Sequence, residues 1–261
     1  MWQPDRRQHI RALLGTFGQV SADRLTEELG VSRETVRRDL MEMEAEGGLK
    51  RVRGGAILVP QEEEPPYAVR ANVRLREKRA IAAAAAGLVQ SGQVLFLDAG
   101  STTAILAEAL ALLSGLVIVT NSVDVANHIS AADSVEGRQN RVLLLGGRFS
   151  IETRATFGAA TVNEIVRYSA DLAFVSPYGL DLQAGATSYD PDEAEIAGAM
   201  LGRARQKVLL ADHSKLGTVG RVAFGKVADF DRIVVDARLA GSDGLARLRA
   251  TNPRILTAPR R

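Results

Sequence analysis

Residues 21–57 restrict what this chain can become more than any other stretch. They begin Ser-Ala-Asp-Arg-Leu-Thr-Glu-Glu-Leu-Gly-Val-Ser-Arg-Glu-Thr-Val-Arg-Arg-Asp-Leu and end on Arg51-Val52-Arg53-Gly54-Gly55-Ala56-Ile57. Ser21 stands where a helix N-cap belongs, and Leu25 and Leu29 lie one turn apart on one face. Gly30 supplies a sharp turn. Ser32 caps a second helix, with Thr35 three residues on and Val36, Leu40 and Met43 as its apolar stripe. Upstream, Ile10, Leu13, Leu14 and Phe17 fall at helical spacing. Lys50-Arg51-Val52-Arg53 alternates basic and apolar residues before two glycines, as a β-wing does. Two short helices, a tight turn and a basic hairpin fit together as a winged helix-turn-helix.

Such a head places the first turns of its second helix in a DNA major groove. The candidate DNA contacts are Ser32, Arg33, Glu34, Thr35, Arg37 and Arg38 on that helix, and Lys50, Arg51, Arg53 and Gly54 in the wing. Arg37 and Arg38 are adjacent, so they project about 100° apart. One can read a base edge while the other pairs with phosphate. Residues 1–57 hold ten basic and nine acidic side chains, so the placement of charge carries this argument and its sum does not.

The rest of the chain has a different grain. An acidic triplet and two prolines, Glu62-Glu63-Glu64-Pro65-Pro66, cannot continue a helix, so residues 58–76 read as a linker between a head at 1–57 and a domain at 77–261. Residues 78–90 are helical in pattern. Short apolar runs then recur at 94–97, 116–119, 141–145, 172–175, 208–211 and 232–235, separated by helical patterns at 103–112, 123–131, 159–168 and 193–206. Runs this short, bounded by Gly, Asp or Asn, fit strands buried on both faces. The expected fold class is therefore α/β, with the winged head followed by a largely parallel α/β domain.

The strand ends carry a second set of signals. Asp98-Ala99-Gly100-Ser101-Thr102-Thr103 joins the first strand to a helix, with a glycine for close approach, hydroxyl donors and a helix N-terminus. Thr120-Asn121-Ser122, Gly146-Gly147, Ser176-Pro177-Tyr178-Gly179 and Asp212-His213-Ser214-Lys215 follow the next four strands. In a parallel sheet these ends share one crevice, where ligands bind. Each motif alone is an ordinary turn, whereas five at successive strand ends point to a site for an anionic ligand, with Lys215 as its compact cation.

The head resembles that of the DeoR family of transcription regulators, through Val31-Ser32, Thr35-Val36-Arg37-Arg38-Asp39-Leu40, Gly48-Leu49, Arg51 and Gly54-Gly55-Ala56. Arg53 stands where members often carry His. The second domain resembles the family's effector domain, related in fold to sugar-phosphate isomerases, through Asp98, Gly100, Thr102-Thr103, Thr120-Asn121, Gly146-Gly147, Asp212, Ser214 and Lys215. Ser101 replaces a usual Thr, Ser176-Pro177-Tyr178 a Gly-rich stretch, and Ala197-Gly198 a basic pair. The resemblance implies a phosphorylated sugar or polyol effector held by Asp98, Gly100, Ser101, Thr102, Thr103, Thr120, Asn121, Gly146, Gly147, Tyr178, Gly179, Glu195, Asp212 and Lys215. It also implies a DNA operator as partner.

The leading expectation is a DNA-binding regulator, usually a repressor in such a family, with no catalytic residue, cofactor or metal. Single heads bind DNA weakly, so a homo-oligomer, dimer or tetramer, is expected. The alternative is a sugar-phosphate isomerase-like enzyme with an appended DNA-binding head. Isomerase chemistry needs a general base, and Asp181 is the only acid near Tyr178-Gly179-Leu180. His213 between Asp212 and Ser214 does not make a triad, because sequence neighbours rarely meet in that geometry. A third reading is a constitutive DNA-binding scaffold with a vestigial pocket. Zero cysteines exclude disulfides and thiolate metal sites. No secretory signal core follows Met1 and the alanine run at 80–88 is too short to span a membrane, so the cytoplasm is expected.

Overall fold

A computed structural model describes residues 2–45, 49–58, 64–136 and 139–259. Gly48, residues 59–63 of the expected linker and the Arg260-Arg261 tail lie outside the described residues. The chain divides into two compact units, Met1–Glu63 and Glu64–Arg261.

In the first unit, α1 (Gln3–Phe17), β1 (Gln19–Ser21), α2 (Ala22–Leu29) and α3 (Arg33–Ala45) precede a hairpin of β2 (Leu49–Val52) and β3 (Gly55–Leu58). The strands form an antiparallel sheet in the order β1-β3-β2. Ser21 Oγ accepts from the Arg24 amide at 3.2 Å and Ser32 Oγ from the Thr35 amide at 3.2 Å, so both expected caps form. Gly30 closes α2 at φ 63°, a left-handed conformation that costs glycine little. Ile10, Leu14, Leu25, Val36, Leu40 and Met43 pack into one core. Phe17 does not join them: it is half exposed, with the Arg24 guanidinium 4.1 Å above its ring. Gly55 needs its missing side chain, since a Cβ there would lie 2.1 Å from the Val20 carbonyl oxygen across the β1–β3 pair.

The second unit starts inside the stretch expected as linker. Pro65 and Pro66 lead into α4 (Tyr67–Asn72), a position where missing amide donors cost nothing. Then follow α5 (Leu75–Ala86), β4 (Val94–Leu97), α6 (Ser101–Leu110), β5 (Val117–Thr120), α7 (Val123–Glu136) and β6 (Arg141–Leu144). A hairpin of β7 (Arg148–Ser150) and β8 (Ala155–Phe157), α8 (Ala159–Ile165), β9 (Ala170–Val175), and a second hairpin of β10 (Gly179–Asp181) and β11 (Gly185–Ser188) come next. The chain finishes with α9 (Pro191–Gly202), β12 (Ala204–Ala211), β13 (Val222–Gly225), β14 (Arg232–Val235), α10 (Asp243–Thr251) and β15 (Ile255–Thr257). The main sheet runs β15-β14-β12-β9-β4-β5-β6, and every pair in it is parallel.

All six expected strands are present. The helix expected at 193–206 stops at Gly202, because Ala204 and Gln206 are already paired with β9. The helix expected at 78–90 likewise stops at Ala86, before Gly87. The small antiparallel sheet β10-β11-β13 and the seventh strand β15 were not expected.

Strand order decides where a ligand can go. From β4 the chain moves outward through β5 and β6; from β9 it moves the other way through β12, β14 and β15. The order therefore reverses between β4 and β9, and the crevice opens beyond their carboxyl ends.

Candidate functional site

The head presents its arginines already paired. Arg37 donates from Nε and Nη2 to Glu34 at 2.9 and 2.6 Å, and Arg38 Nε to Glu42 at 3.2 Å. Arg33 pairs with Asp23, and Arg51 Nε with Glu44 at 2.7 Å. Arg33, Glu34, Arg37 and Arg38 remain largely exposed, and Lys50, Arg53 and Gly54 are exposed in the wing. Ser32 and Thr35 spend their hydroxyls on each other, 2.8 Å apart, at the start of α3. Asp39, in the middle of the Arg-Arg-Asp-Leu motif, is 1% exposed. It accepts from Arg6 of α1 at 2.7 and 3.2 Å, so it ties α1 to α3.

In the second unit, a small cleft at the β4–β9 switch is lined by Asp98, Asn121, Ser176, Ser188, Glu193 and Phe224, among others. Asp98 Oδ2 bridges the switch by accepting from the Ser176 amide at 2.8 Å. Thr103 Oγ1 directs its proton to the Asp98 and Gly100 carbonyls, 2.9 Å from each, which leaves Asp98 Oδ1 buried without a donor. Asn121 donates from Nδ2 to the Thr156 carbonyl at 3.0 Å, and its Oδ1 is likewise buried and unmatched. Glu193 accepts from Ser188 Oγ at 3.0 Å. Burial pushes Asp98 up to about 7 against the lowering effect of the Ser176 amide. Burial and then the charge of Glu64 push Glu193 up to about 7. The cleft thus carries two buried oxygens, Asp98 Oδ1 and Asn121 Oδ1, without a hydrogen-bond partner.

Beside it lies a group of cations. Lys78 is 4% exposed, and its Nζ donates to Ser101 Oγ at 3.0 Å and to the Arg70 carbonyl. Burial lowers Lys78 to about 8; Asp212 opposes the fall while Lys215, Arg70 and Arg74 deepen it. Lys215 is lowered by burial too, and its ammonium lies 5.6 Å from the Tyr178 ring centroid. Arg74 Nε approaches Asp212 Oδ1 at 3.7 Å, and that oxygen also accepts from the Ser214 amide and hydroxyl. The α6 N-terminus has no side-chain cap, so its first-turn amides at Ser101, Thr102 and Thr103 point out unsatisfied by one.

Several expected effector residues turn out to support the cleft instead of facing it. Thr103 fixes the β4–α6 turn, and Thr120 Oγ1 donates to the Leu97 carbonyl at 2.7 Å. Gly100 is the close approach: a Cβ there would press on Thr103 Oγ1 at 3.1 Å and Ser176 Cβ at 3.3 Å. Gly146 and Gly147 pack on α8, the former accepting from Thr161 Oγ1 at 2.7 Å, and a Cβ on the latter would sit 2.1 Å from that hydroxyl. Gly179 passes tight beneath the Thr218 carbonyl. Glu195 is exposed on α9 and does not line the cleft; Glu193 does. His213 donates its amide to Asp236 at 2.5 Å and sets its ring against the same carboxylate. Glu193, which lines the cleft, and Lys78, Arg70 and Arg74 in the neighbouring cation group were not among the expected residues. Among the described residues no helix is long and apolar enough to cross a membrane, and no group of three His, Cys, Asp or Glu is placed to hold a metal.

Comparison with known proteins agrees with both halves. A model of the DeoR-like helix-turn-helix domain matches residues 6–62, and one of the DeoR C terminal sensor domain matches residues 73–237. The chain is 34% identical to the HTH-type transcriptional regulator GlpR of Haloferax volcanii, over 92% of each protein. It is 31% identical to the glycerol-3-phosphate regulon repressor of Escherichia coli, over 91% of this chain and 92% of that one. The HTH-type transcriptional repressor GlcR of Bacillus subtilis is 29% identical over 90% and 89%. Ribose 5-phosphate isomerase A of Neisseria gonorrhoeae aligns with 56% of this chain and 54% of its own, at 17% identity and a TM-score of 0.38.

Proposed function

Because this chain belongs to the DeoR family of transcription regulators, we propose that it represses a carbohydrate or polyol catabolic operon and is relieved by a phosphorylated sugar or polyol. The observation that carries the effector class is the pairing of unmatched buried acceptors with cations at one switch point. Asp98 Oδ1 and Asn121 Oδ1 lack donors, and each such orphan costs about 1–3 kcal/mol. Ligand hydroxyls are the donors that would recover this. Lys78, Lys215 and the α6 amides supply what a phosphate needs.

The enzyme reading loses its acid. Asp181 Oδ1 accepts from the Gln183 and Ala184 amides at 2.7 and 2.9 Å, so it closes the β10–β11 turn. The chain is a DNA-binding regulator whose relatives are regulators too. Ligand binding shifts DNA affinity only by its differential affinity for two conformations. A dimer or tetramer acting on cytoplasmic DNA completes the proposal, and sedimentation of a monomer with tight operator binding would refute that part.

The test is a thermal-shift screen of the full chain against sugar and polyol phosphates, beginning with glycerol 3-phosphate, which one relative's name carries. A ligand at 100 times its dissociation constant adds about 2.7 kcal/mol. For a domain of this size that raises the melting temperature by roughly 5–10 °C. A flat screen from a protein that still binds operator DNA would leave the vestigial pocket standing and sink the effector proposal.

A further inference from the structure

Glu64 is the first residue of the sensor unit and follows directly on the head in sequence. Its Oε1 meets Arg70 Nη1 at 3.0 Å, with the two side chains only 12% and 16% exposed. Arg70 Nε donates to the Pro65 carbonyl at 2.9 Å, so one guanidinium holds both the carboxylate of residue 64 and the backbone of residue 65. The Arg70 carbonyl in turn accepts from Lys78, whose ammonium also reaches Ser101 at the start of α6. The Glu64 charge also acts on Lys215, where it is the largest influence opposing burial, and on Glu193 across the cleft. A carboxylate from the segment next to the head thus stands among the cations that a phosphate would use.

We propose that Glu64 is an internal counter-anion of the effector site, and that an incoming phosphate group displaces its carboxylate from Arg70. The inference rests on the reading of this site as a phosphate site. Two anions cannot share these cations cheaply at low dielectric, especially with Glu193 and Asp212 already present. Displacement would break the Glu64–Arg70 pair and loosen Glu64 and Pro65, the first residues of the sensor unit. Linkage makes the effect reciprocal: whatever holds Glu64 in place weakens phosphate binding. A carboxylate in the chain would then do in the repressing state what the effector does in the released one.

The experiment is calorimetric titration of the full chain with inorganic phosphate at constant ionic strength, for the wild type, Glu64→Gln, Glu64→Ala and Lys215→Gln. If the Glu64-displaced form makes up about a tenth of the wild type, both Glu64 variants should bind phosphate about tenfold tighter. Lys215→Gln should bind at least tenfold more weakly. Far-ultraviolet circular dichroism checks that each variant is folded. Unchanged or weaker binding in both Glu64 variants, with Lys215→Gln still impaired, overturns the counter-anion and leaves the phosphate site intact. Wild-type affinity in Lys215→Gln, or no binding by any of the four proteins, removes the phosphate site and this inference with it.

Discussion

Asp98→Asn separates a dry, acceptor-rich cleft from a wet one. Asp98 is 7% exposed, and burial lifts its carboxyl from the ordinary 3.8 to about 7, with Glu193 adding to the rise and Arg70 opposing it. Each pKa unit between folded and unfolded states is worth about 1.4 kcal/mol, so keeping Asp98 ionised above pH 7 costs the fold about 4 kcal/mol. The folded state holds the extra proton between about pH 4 and 7, and the unfolded state has already lost it. Stability therefore falls as pH rises through that window and levels off above it. Asparagine keeps an oxygen for the Ser176 amide and removes the titration. Its own amide N–H groups have no acceptor prepared for them, so the net gain at pH 8 should be about 2 kcal/mol. That is a rise of roughly 4–8 °C in the melting temperature of the sensor unit. Calorimetric melts of both proteins at pH 5, 6, 7 and 8 check it: the advantage of the variant should grow with pH, while Glu193 leaves both with a residual slope. A difference that is flat from pH 5 to 8 would mean that Asp98 titrates as an ordinary exposed carboxyl, and the argument from orphaned acceptors would fail with it.

Two substitutions test the head. Arg37→Ala should weaken operator binding by about 1–3 kcal/mol and relax sequence preference at one base pair, as measured by fluorescence anisotropy on operator variants. An equal loss on every sequence would make Arg37 a phosphate contact instead. Arg6→Ala strands Asp39, 1% exposed, without its guanidinium, and should cost the head about 3 kcal/mol. Hydrogen exchange of α1 and α3 amides reads this directly; a change below about 0.5 kcal/mol would place the pair with ordinary surface ion pairs.

The strands were legible because their composition leaves little choice. Residues 94–97 and 233–235 are apolar, bounded by polar residues and largely buried, and the expected runs at 94–97 and 232–235 match β4 and β14 to the residue. The end of α9 was not legible, because Arg203-Ala204-Arg205-Gln206 are all good helix formers. Pairing of β12 with β9 overrides that local preference, and no local pattern reports a partner strand 34 residues away (Ala204 on Ala170). Two of the unexpected residues at or beside the cleft do carry a signal in the sequence. Glu193, Ile196 and Ala197 share one face at i, i+3 and i+4, and all three line the cleft; Glu195 projects about 200° away from Glu193. Lys78 likewise sits in register with Ile81, Ala82 and Ala85, a lysine inside an apolar stripe. A charge on the buried face of a helix is costly without a purpose, so such a break in pattern marks a site more sharply than a turn motif does.

Both candidate binding surfaces carry their own counter-charges, and this bears on how the two proposed functions would be tuned. Arg37 is held by Glu34, Arg38 by Glu42 and Arg51 by Glu44, so on the proposed DNA contacts each would have to leave a carboxylate first. These pairs are exposed and weakly held, so they take little from affinity, but any sequence that offers no better acceptor gains nothing by displacing them. That is discrimination against the wrong partner, obtained from the carboxylates that hold these arginines in the free protein. In the sensor the Glu64–Arg70 pair is largely buried, so the displacement proposed above would move more free energy. On these two proposals the head would have a graded preference among DNA sequences, and the cleft a sharper choice between an anion of the chain and one from outside.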